Sequence, residues 1–414
     1  MNRGATLVVA LLVATSAVTM AAAAGATTTT TATGSSTTTQ SDAYAGAHVA
    51  FDVQGDAIAN YSVDGEQAFS SVAVQSQSEA DADAGLDAST GLEAATDLSG
   101  AGLSLATQTQ ASAEIQADSG ATLSAHDNQH GTLVVESGDE AQYVEADLGA
   151  SAEAREDGDR VVVETGDREG AFLVVGDGEV TVADGNVTAD LGENATLAFR
   201  SYDEGERDEQ ASYEESLITE GNAAVEVTAD HRDGETVSDA VTYGQETSAE
   251  AATTANGTVE MTIDRTTHEG TVVLTTVSEE AVGSLENLSV TVDGEAAVEA
   301  SSKSDLEGAI GSDESRYMVA QDTQAEGQAT VYVAVNHFSE RTATIDGASA
   351  QDESTDESDG SEIESDDEGS TDEESADGSA ENETTDGSDD SVSGFGAGAA
   401  ALALLTGVGA RVRR

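Results

Sequence analysis

Residues 161–199 read VVVETGDREGAFLVVGDGEVTVADGNVTADLGENATLAF, and the short apolar runs between Asp-Gly pairs decide the fold class. Val161-Val162-Val163, residues 172–175, Val180-Thr181-Val182 and Leu197-Ala198-Phe199 are too short for stable helices and rich in residues that suit a pleated sheet. Asp157-Gly158, Asp177-Gly178 and Asp184-Gly185 stand between them, the composition of tight hairpin turns with positive φ. With Leu133-Val134-Val135 upstream, this spacing predicts an antiparallel meander.

Towards the amino terminus, residues 103–117 alternate. Leu103, Leu105, Ala113, Ile115 and Ala117 fall on odd positions, and Gln108, Glu114 and Gln116 on even ones. Period two over that length predicts a strand pair with one wet face, and residues 72–84 alternate similarly. The buried-side residues are small, so thin packing is expected in this β-rich region, residues 42–202.

Towards the carboxy terminus, residues 203–215 form a charged break, expected as a short exposed helix or loop in a connector over 203–221. A second β series follows at 223–228, 237–243, 259–263, 271–277, 288–292 and 330–335. That density predicts a β-sandwich-like domain over 222–347. Ser304, with Glu307 three residues on, carries the one convincing helix-start signal. The chain has no proline, so acidic side chains are left to protect the sheet edges.

The 414 residues hold 82 Asp plus Glu against 14 Lys plus Arg, a formal net charge of -68. In ordinary salt that self-repulsion opposes a compact state. At molar salt the screening length falls to about 3 Å, and the carboxylates mainly hold water and cations. Lys303 is the only lysine, and the composition resembles that of haloarchaeal proteins. Such a surface repels phosphates, which excludes nucleic acid as a partner and favours hydrated cations or basic partners. The absence of cysteine excludes disulfides and thiolate metal sites.

The two ends carry targeting signals. Arg3, the apolar residues 7–14 and Ala22-Ala23-Ala24 form a secretory signal peptide over 1–24, with cleavage after Ala24. A Thr/Ser-rich linker covers 25–41, and an acidic Ser/Thr-rich stalk, expected to be disordered and extended, covers 348–391. Residues 392–410 are free of charge before Arg411, Arg413 and Arg414, which makes a short hydrophobic helix whose arginines stay cytoplasmic. Ser393-Gly394-Phe395-Gly396, followed by that short apolar stretch and the arginines, resembles the haloarchaeal PGF-CTERM sorting tail, with Ser393 where the family has proline. The resemblance implies an archaeosortase as partner, removal of the tail over 392–414, and attachment to a membrane lipid. A plain transmembrane anchor is the alternative.

Chemistry-bearing motifs are few. His126 and His130 are four apart, but Asp127-Asn128-Gln129 and Gly131 read as a turn, so the zincin pattern is missing; His48, His231, His268 and His337 are scattered. Carboxylates are too plentiful for a pair to signify catalysis, and no spaced Asp loop specifies calcium. No nucleophile elbow, Walker loop or dinucleotide fingerprint occurs, so neither an enzyme nor a cofactor is expected. N-glycosylation sequons begin at Asn60, Asn186, Asn194, Asn256, Asn287 and Asn382.

Residues 312–347, with Arg316-Tyr317-Met318-Val319 and residues 333–339, resemble stretches near the ends of uncharacterised haloarchaeal surface proteins. The expectation is an exported surface glycoprotein with a structural or adhesive envelope role, held to the outer face of the cytoplasmic membrane. A solute- or cation-binding receptor module is the alternative, and a surface hydrolase the third reading.

Overall fold

The computed structural model describes residues 42–84, 100–149, 152–232, 234–254, 257–321, 327–337 and 340–347. The expected signal peptide with Ala24, the expected Thr/Ser linker, Asn256, the expected stalk with Asn382 and the expected tail with Ser393, Gly394 and Phe395 lie outside the described residues. All described residues belong to one compact unit, Met1–Asp352.

The fold is mainly β, as expected. Its first part comprises β1 (Asp42–Ala45), β2 (Val49–Gln54), β3 (Ala57–Val63), β4 (Glu66–Ser76), α1 (Gln77–Ala84), β5 (Leu103–Gln108), β6 (Ser112–Ala117), β7 (Thr122–His126) and β8 (Leu133–Glu136). It continues through β9 (Gln142–Leu148), β10 (Ala152–Asp157), β11 (Arg160–Thr165), β12 (Arg168–Val175), β13 (Gly178–Ala183), β14 (Asn186–Leu191) and β15 (Thr196–Asp203). These strands form a seven-stranded sheet, β1-β2-β3-β4-β9-β14-β13, and an eight-stranded one, β10-β11-β12-β15-β8-β7-β6-β5. One apolar core joins their inner faces.

This is a sandwich rather than a simple meander. Asp184-Gly185 is a hairpin turn, with φ of 52° and 90° between the paired Ala183 and Asn186. At Asp157-Gly158 the hairpin lies one residue later, because Asp157 itself pairs with Arg160. Asp177-Gly178 is no hairpin at all: there the chain leaves β12 in one sheet and enters β13 in the other. Packing is also fuller than the small residues of β5 and β6 suggest. Tyr44, Phe51, Tyr61 and Phe69 stack in sequence at 5.6 to 5.8 Å, and Phe69 meets Phe172 and Phe199 of the opposite sheet. Rings at such spacing contribute beyond the area they bury, so a few aromatics gathered in one line fill this core.

The second part begins with α2 (Glu209–Thr219) and comprises β16 (Ala223–Arg232), β17 (Glu235–Thr242), β18 (Thr247–Thr253), β19 (Thr258–Arg265), β20 (Glu269–Ser278), α3 (Glu279–Val282) and β21 (Ser289–Val292). It ends with β22 (Glu295–Ala296), β23 (Val298–Glu299), α4 (Lys303–Glu307), β24 (Arg316–Gln321), β25 (Gln328–His337) and β26 (Arg341–Asp346). A six-stranded sheet, β17-β16-β20-β25-β24-β23, packs on a five-stranded one, β18-β19-β26-β21-β22, over a second core. β16 and β20 run parallel, as do β23 and β24.

Helix starts are more numerous than the Ser304 signal allowed. Strand β4 stops at Ser76, whose hydroxyl donates to Glu79 Oε2 at 2.9 Å and accepts from the Glu79 amide at 3.4 Å, a side-chain cap on residues 77–84, which form α1 instead of the expected strand. Asp208 caps α2, Ser278 caps α3, and Ser302 rather than Ser304 caps α4. None of the helices among the described residues is long and apolar enough to cross a membrane.

Candidate functional site

A third apolar cluster lies between the two sandwiches. It joins Val134, Ala171, Leu173 and Ala198 on the outer face of the eight-stranded sheet to Val272, Leu274 and Tyr332 on the outer face of the six-stranded one, with Leu217 and Ile218 of α2 between them. The connector is therefore not an exposed segment. Ala211, Glu214, Glu215, Leu217 and Ile218 are buried at helical spacing, so α2 presents two glutamates on its inner face.

Those glutamates are held by Arg160 and Arg200 of the first sandwich and by Arg207 of the segment between β15 and α2. β15 is a central strand, and alternation sends Phe199 into the first core while Arg200 and Tyr202 face α2. Arg200 is 1% exposed; its Nη2 donates to Glu214 Oε2 at 3.0 Å and to Glu226 Oε1 of β16 at 3.1 Å, and its Nη1 to the Tyr202 hydroxyl at 3.0 Å. Two carboxylates against one guanidinium leave excess negative charge. Tyrosine hydroxyls disperse it: Tyr332 donates to Glu214 at 2.8 Å, and Tyr243 donates to Glu226. Glu215, fully buried, takes a bidentate pair from Arg207 at 2.8 and 2.9 Å and a further bond from Arg160 at 2.8 Å.

Burial alone would weaken every charge here, and the pairing outweighs it where partners are opposite in sign. Burial raises the Glu226 carboxyl, but Arg200 and His130 more than offset this and hold it below the usual carboxylate range. Burial likewise opposes the Arg200 cation, and Glu226 leads the groups that carry it well above its ordinary value. For His130, burial with Arg200 beside it lowers the imidazole below the usual range; its Nδ1 lies 3.1 Å from the Ser201 carbonyl oxygen and its Nε2 3.8 Å from Glu226.

A second cluster ties the turn after β7 to the second sandwich. The buried Asp127 carboxylate accepts from the amides of Ala47, His48 and Val49, each at 2.7 Å, and from Arg232 Nη1 at 2.8 Å. Gly46 permits that approach, because a Cβ there would lie 2.3 Å from the Asp127 carboxyl carbon. Beside it His126 Nδ1 meets Asp239 of β17 at 2.8 Å.

The sequence-derived candidates are dispersed. His126 and His130 sit in this seam on separate partners, and among the described residues no group of three His, Asp or Glu could hold a metal ion. Asn60, Asn194 and Asn287 are exposed, with φ of 56°, 59° and 85°. Asn186 is half-buried, and its Nδ2 donates to Asp147 at 2.6 Å. Sequence reasoning missed Arg200, Glu214, Glu215, Glu226, Asp127 and Arg232 altogether. Their signal was the scarcity of arginine, since each of the nine described arginines is engaged by an internal acceptor.

Two concavities adjoin the seam. A polar cavity of about 50 Å³ lies among His48, Asn128, Thr228, Arg232 and Gln328. An open groove of about 730 Å³ is lined by Thr109, Gln110, Asp239, Ala251 and Glu260 among others, without an aromatic ring or an arginine. The chemistry on display is ion pairing and hydrogen bonding that fix one sandwich to the other. No protein-family model matches the chain, and no curated protein matches it significantly.

Proposed function

We propose that the chain is an exported, halophilic cell-surface glycoprotein with a structural or adhesive envelope role. In this reading the signal peptide over 1–24 is removed, the two sandwiches stand outside the membrane on the acidic stalk, and the tail over 392–414 supplies the anchor through a sorting enzyme and a lipid. The observation that supports it most is the seam. Arginines are spent on buried pairs that lock the sandwiches together, and the remaining carboxylates are left to face a salt-rich solvent. A brace between two β units suits a load-bearing or spacer role better than chemistry at a cleft.

The test is a deletion of residues 392–414 in a native host. Release of the shortened protein into the medium, with full-length protein retained on the cells and cut by added protease, is the expected result. Retention of both forms inside the cell would overturn it. The receptor alternative draws on the open groove near Asp239 and Glu260. Calorimetric titration with calcium and with small sugars tests it.

A further inference from the structure

The polar cavity of about 50 Å³ sits where the turn after β7 meets β16, β20 and β25 of the six-stranded sheet. Thr228 of β16 pairs with Thr276 of β20, and Ser278 of β20 with Gln328 of β25, so hydroxyls and an amide line its wall on the second sandwich. Asn128 reaches it from the first sandwich and is 1% exposed. Asn128 Oδ1 accepts from the Thr132 amide and from the Thr132 hydroxyl, each at 3.3 Å. A backbone amide can only donate, which fixes the carboxamide's orientation and leaves Nδ2 as its free end. That Nδ2 is buried and has no hydrogen-bond partner among the described residues, and the same holds of Gln328 Oε1.

The charges around the cavity are already paired. Arg232 meets Asp127 at 2.8 Å and Asp230 at 3.4 Å, and His48 Nδ1 meets Asp64 at 2.8 Å. What remains unmet is one donor and one acceptor, and native interiors rarely leave such groups without a partner. An ion of either sign would serve one and repel the other, whereas water donates and accepts at once. A single water needs about 10–15 Å³ of such space, so the cavity has room for about three.

We propose that this cavity is a water-binding site, whose waters bridge Asn128 of the first sandwich to Gln328 of the second and make a wet joint beside the Asp127–Arg232 pair. The hydroxyls of Thr228 and Thr276 supply the further partners that an ordered water requires. Bonds relayed by water are enthalpically nearly as good as direct ones, so the joint adds to the seam without any direct contact between the two amides. The inference concerns the fold and does not rest on the surface reading.

Two measurements on the full-length protein test it. The first is a double-mutant cycle of Asn128→Leu and Gln328→Met by denaturant unfolding in molar potassium chloride. Asn128→Leu also severs the Thr132 bonds, but that loss is common to both Gln328 backgrounds and cancels. Gln328→Met should change the unfolding constant by a factor that differs more than about twofold between the Asn128 and Leu backgrounds, and a smaller difference, the scatter of independent sites, would overturn the proposal. The second is a crystal structure after soaking in molar rubidium bromide. Density within about 3.2 Å of Asn128 Nδ2 and of Gln328 Oε1, with no anomalous signal from either ion, is expected. A rubidium or bromide peak in the cavity, or a direct bond between the two amides, would overturn it.

Discussion

Arg200 of the first sandwich donates to Glu226 of the second at 3.1 Å, and both side chains are 1% exposed. A buried pair of this kind costs much to desolvate and is most consequential when one partner is removed. Arg200→Met leaves Glu214 and Glu226 buried without their cation. It should cost about 3–5 kcal/mol in unfolding stability at molar salt. Arg200→Met with Glu214→Gln and Glu226→Gln should recover part of that loss. A loss below about 1 kcal/mol for the single variant, of the size expected from an exposed pair, would contradict the seam's role.

Acid should loosen the same seam, in two stages. The lowered His130 value means the folded chain binds that proton less readily than the unfolded chain, whose ordinary value is 6.5. Its contribution is therefore present above about pH 6.5 and is lost as the pH falls from there towards the folded value. The lowered Glu226 value acts with the same sign below its ordinary 4.5. Melting temperature should fall between pH 7 and 5, and fall further below 4.5. His130→Asn should flatten the first stage, and a profile unchanged by that substitution would remove His130 from the account.

Gly46 and Gly65 should respond differently to substitution. A Cβ at Gly46 enters the Asp127 carboxylate, so Gly46→Ala should destabilise by about 1–3 kcal/mol through overpacking and loosening of the Arg232 pair. Gly65 has φ of 83° in a hairpin turn with open space around it, so Gly65→Asn should change stability by about 0.5 kcal/mol or less. Denaturant melts of the two variants give the comparison.

Dialysis from molar salt to about 0.1 M lengthens screening from about 3 to about 10 Å. With 82 acidic residues and the described arginines already engaged, the β units should loosen, seen as a changed circular dichroism spectrum and a lower melting temperature. An unchanged spectrum and melt would show that repulsion between the carboxylates does not limit the stability of this fold.

Glycan occupancy should follow exposure. Asn194 and Asn287 are exposed, a sugar on exposed Asn60 must displace a bond of 3.2 Å to Asp52, and one on half-buried Asn186 a shorter bond of 2.6 Å to Asp147. Peptide mapping should find Asn186 the least modified of these four, and full occupancy there would contradict the geometry.

The strands were legible wherever β-branched residues run together, as at Val161-Val162-Val163 in β11 or Val331 and Val333 in β25. Their partners were not. β12 and β13 follow one another through Asp177-Gly178, yet they lie in different sheets, and nothing local in the turn announces a crossover. β18, TSAEAAT, escaped notice because alanine and glutamate are poor strand formers, and only pairing with β19 makes it extended. The seam was the hardest to foresee. EQASYEESLIT reads as a polar helix, and burial of Glu214 and Glu215 becomes intelligible only once Arg160 and Arg200 arrive from β11 and β15 and Arg207 folds back from the segment just before the helix. His126 and His130 drew attention for their spacing, while the buried acid of that turn is Asp127 between them.

The most direct test of the surface reading is mass spectrometry of both termini of the mature protein from an envelope fraction. The account predicts an amino terminus at Gly25 and a lipid-linked carboxy terminus short of Arg414, with the charge-free tail removed. A dominant species beginning at Met1, or one found in the soluble cell interior, would contradict export. One that begins at Gly25 but ends intact at Arg414 would replace the lipid anchor with a transmembrane one.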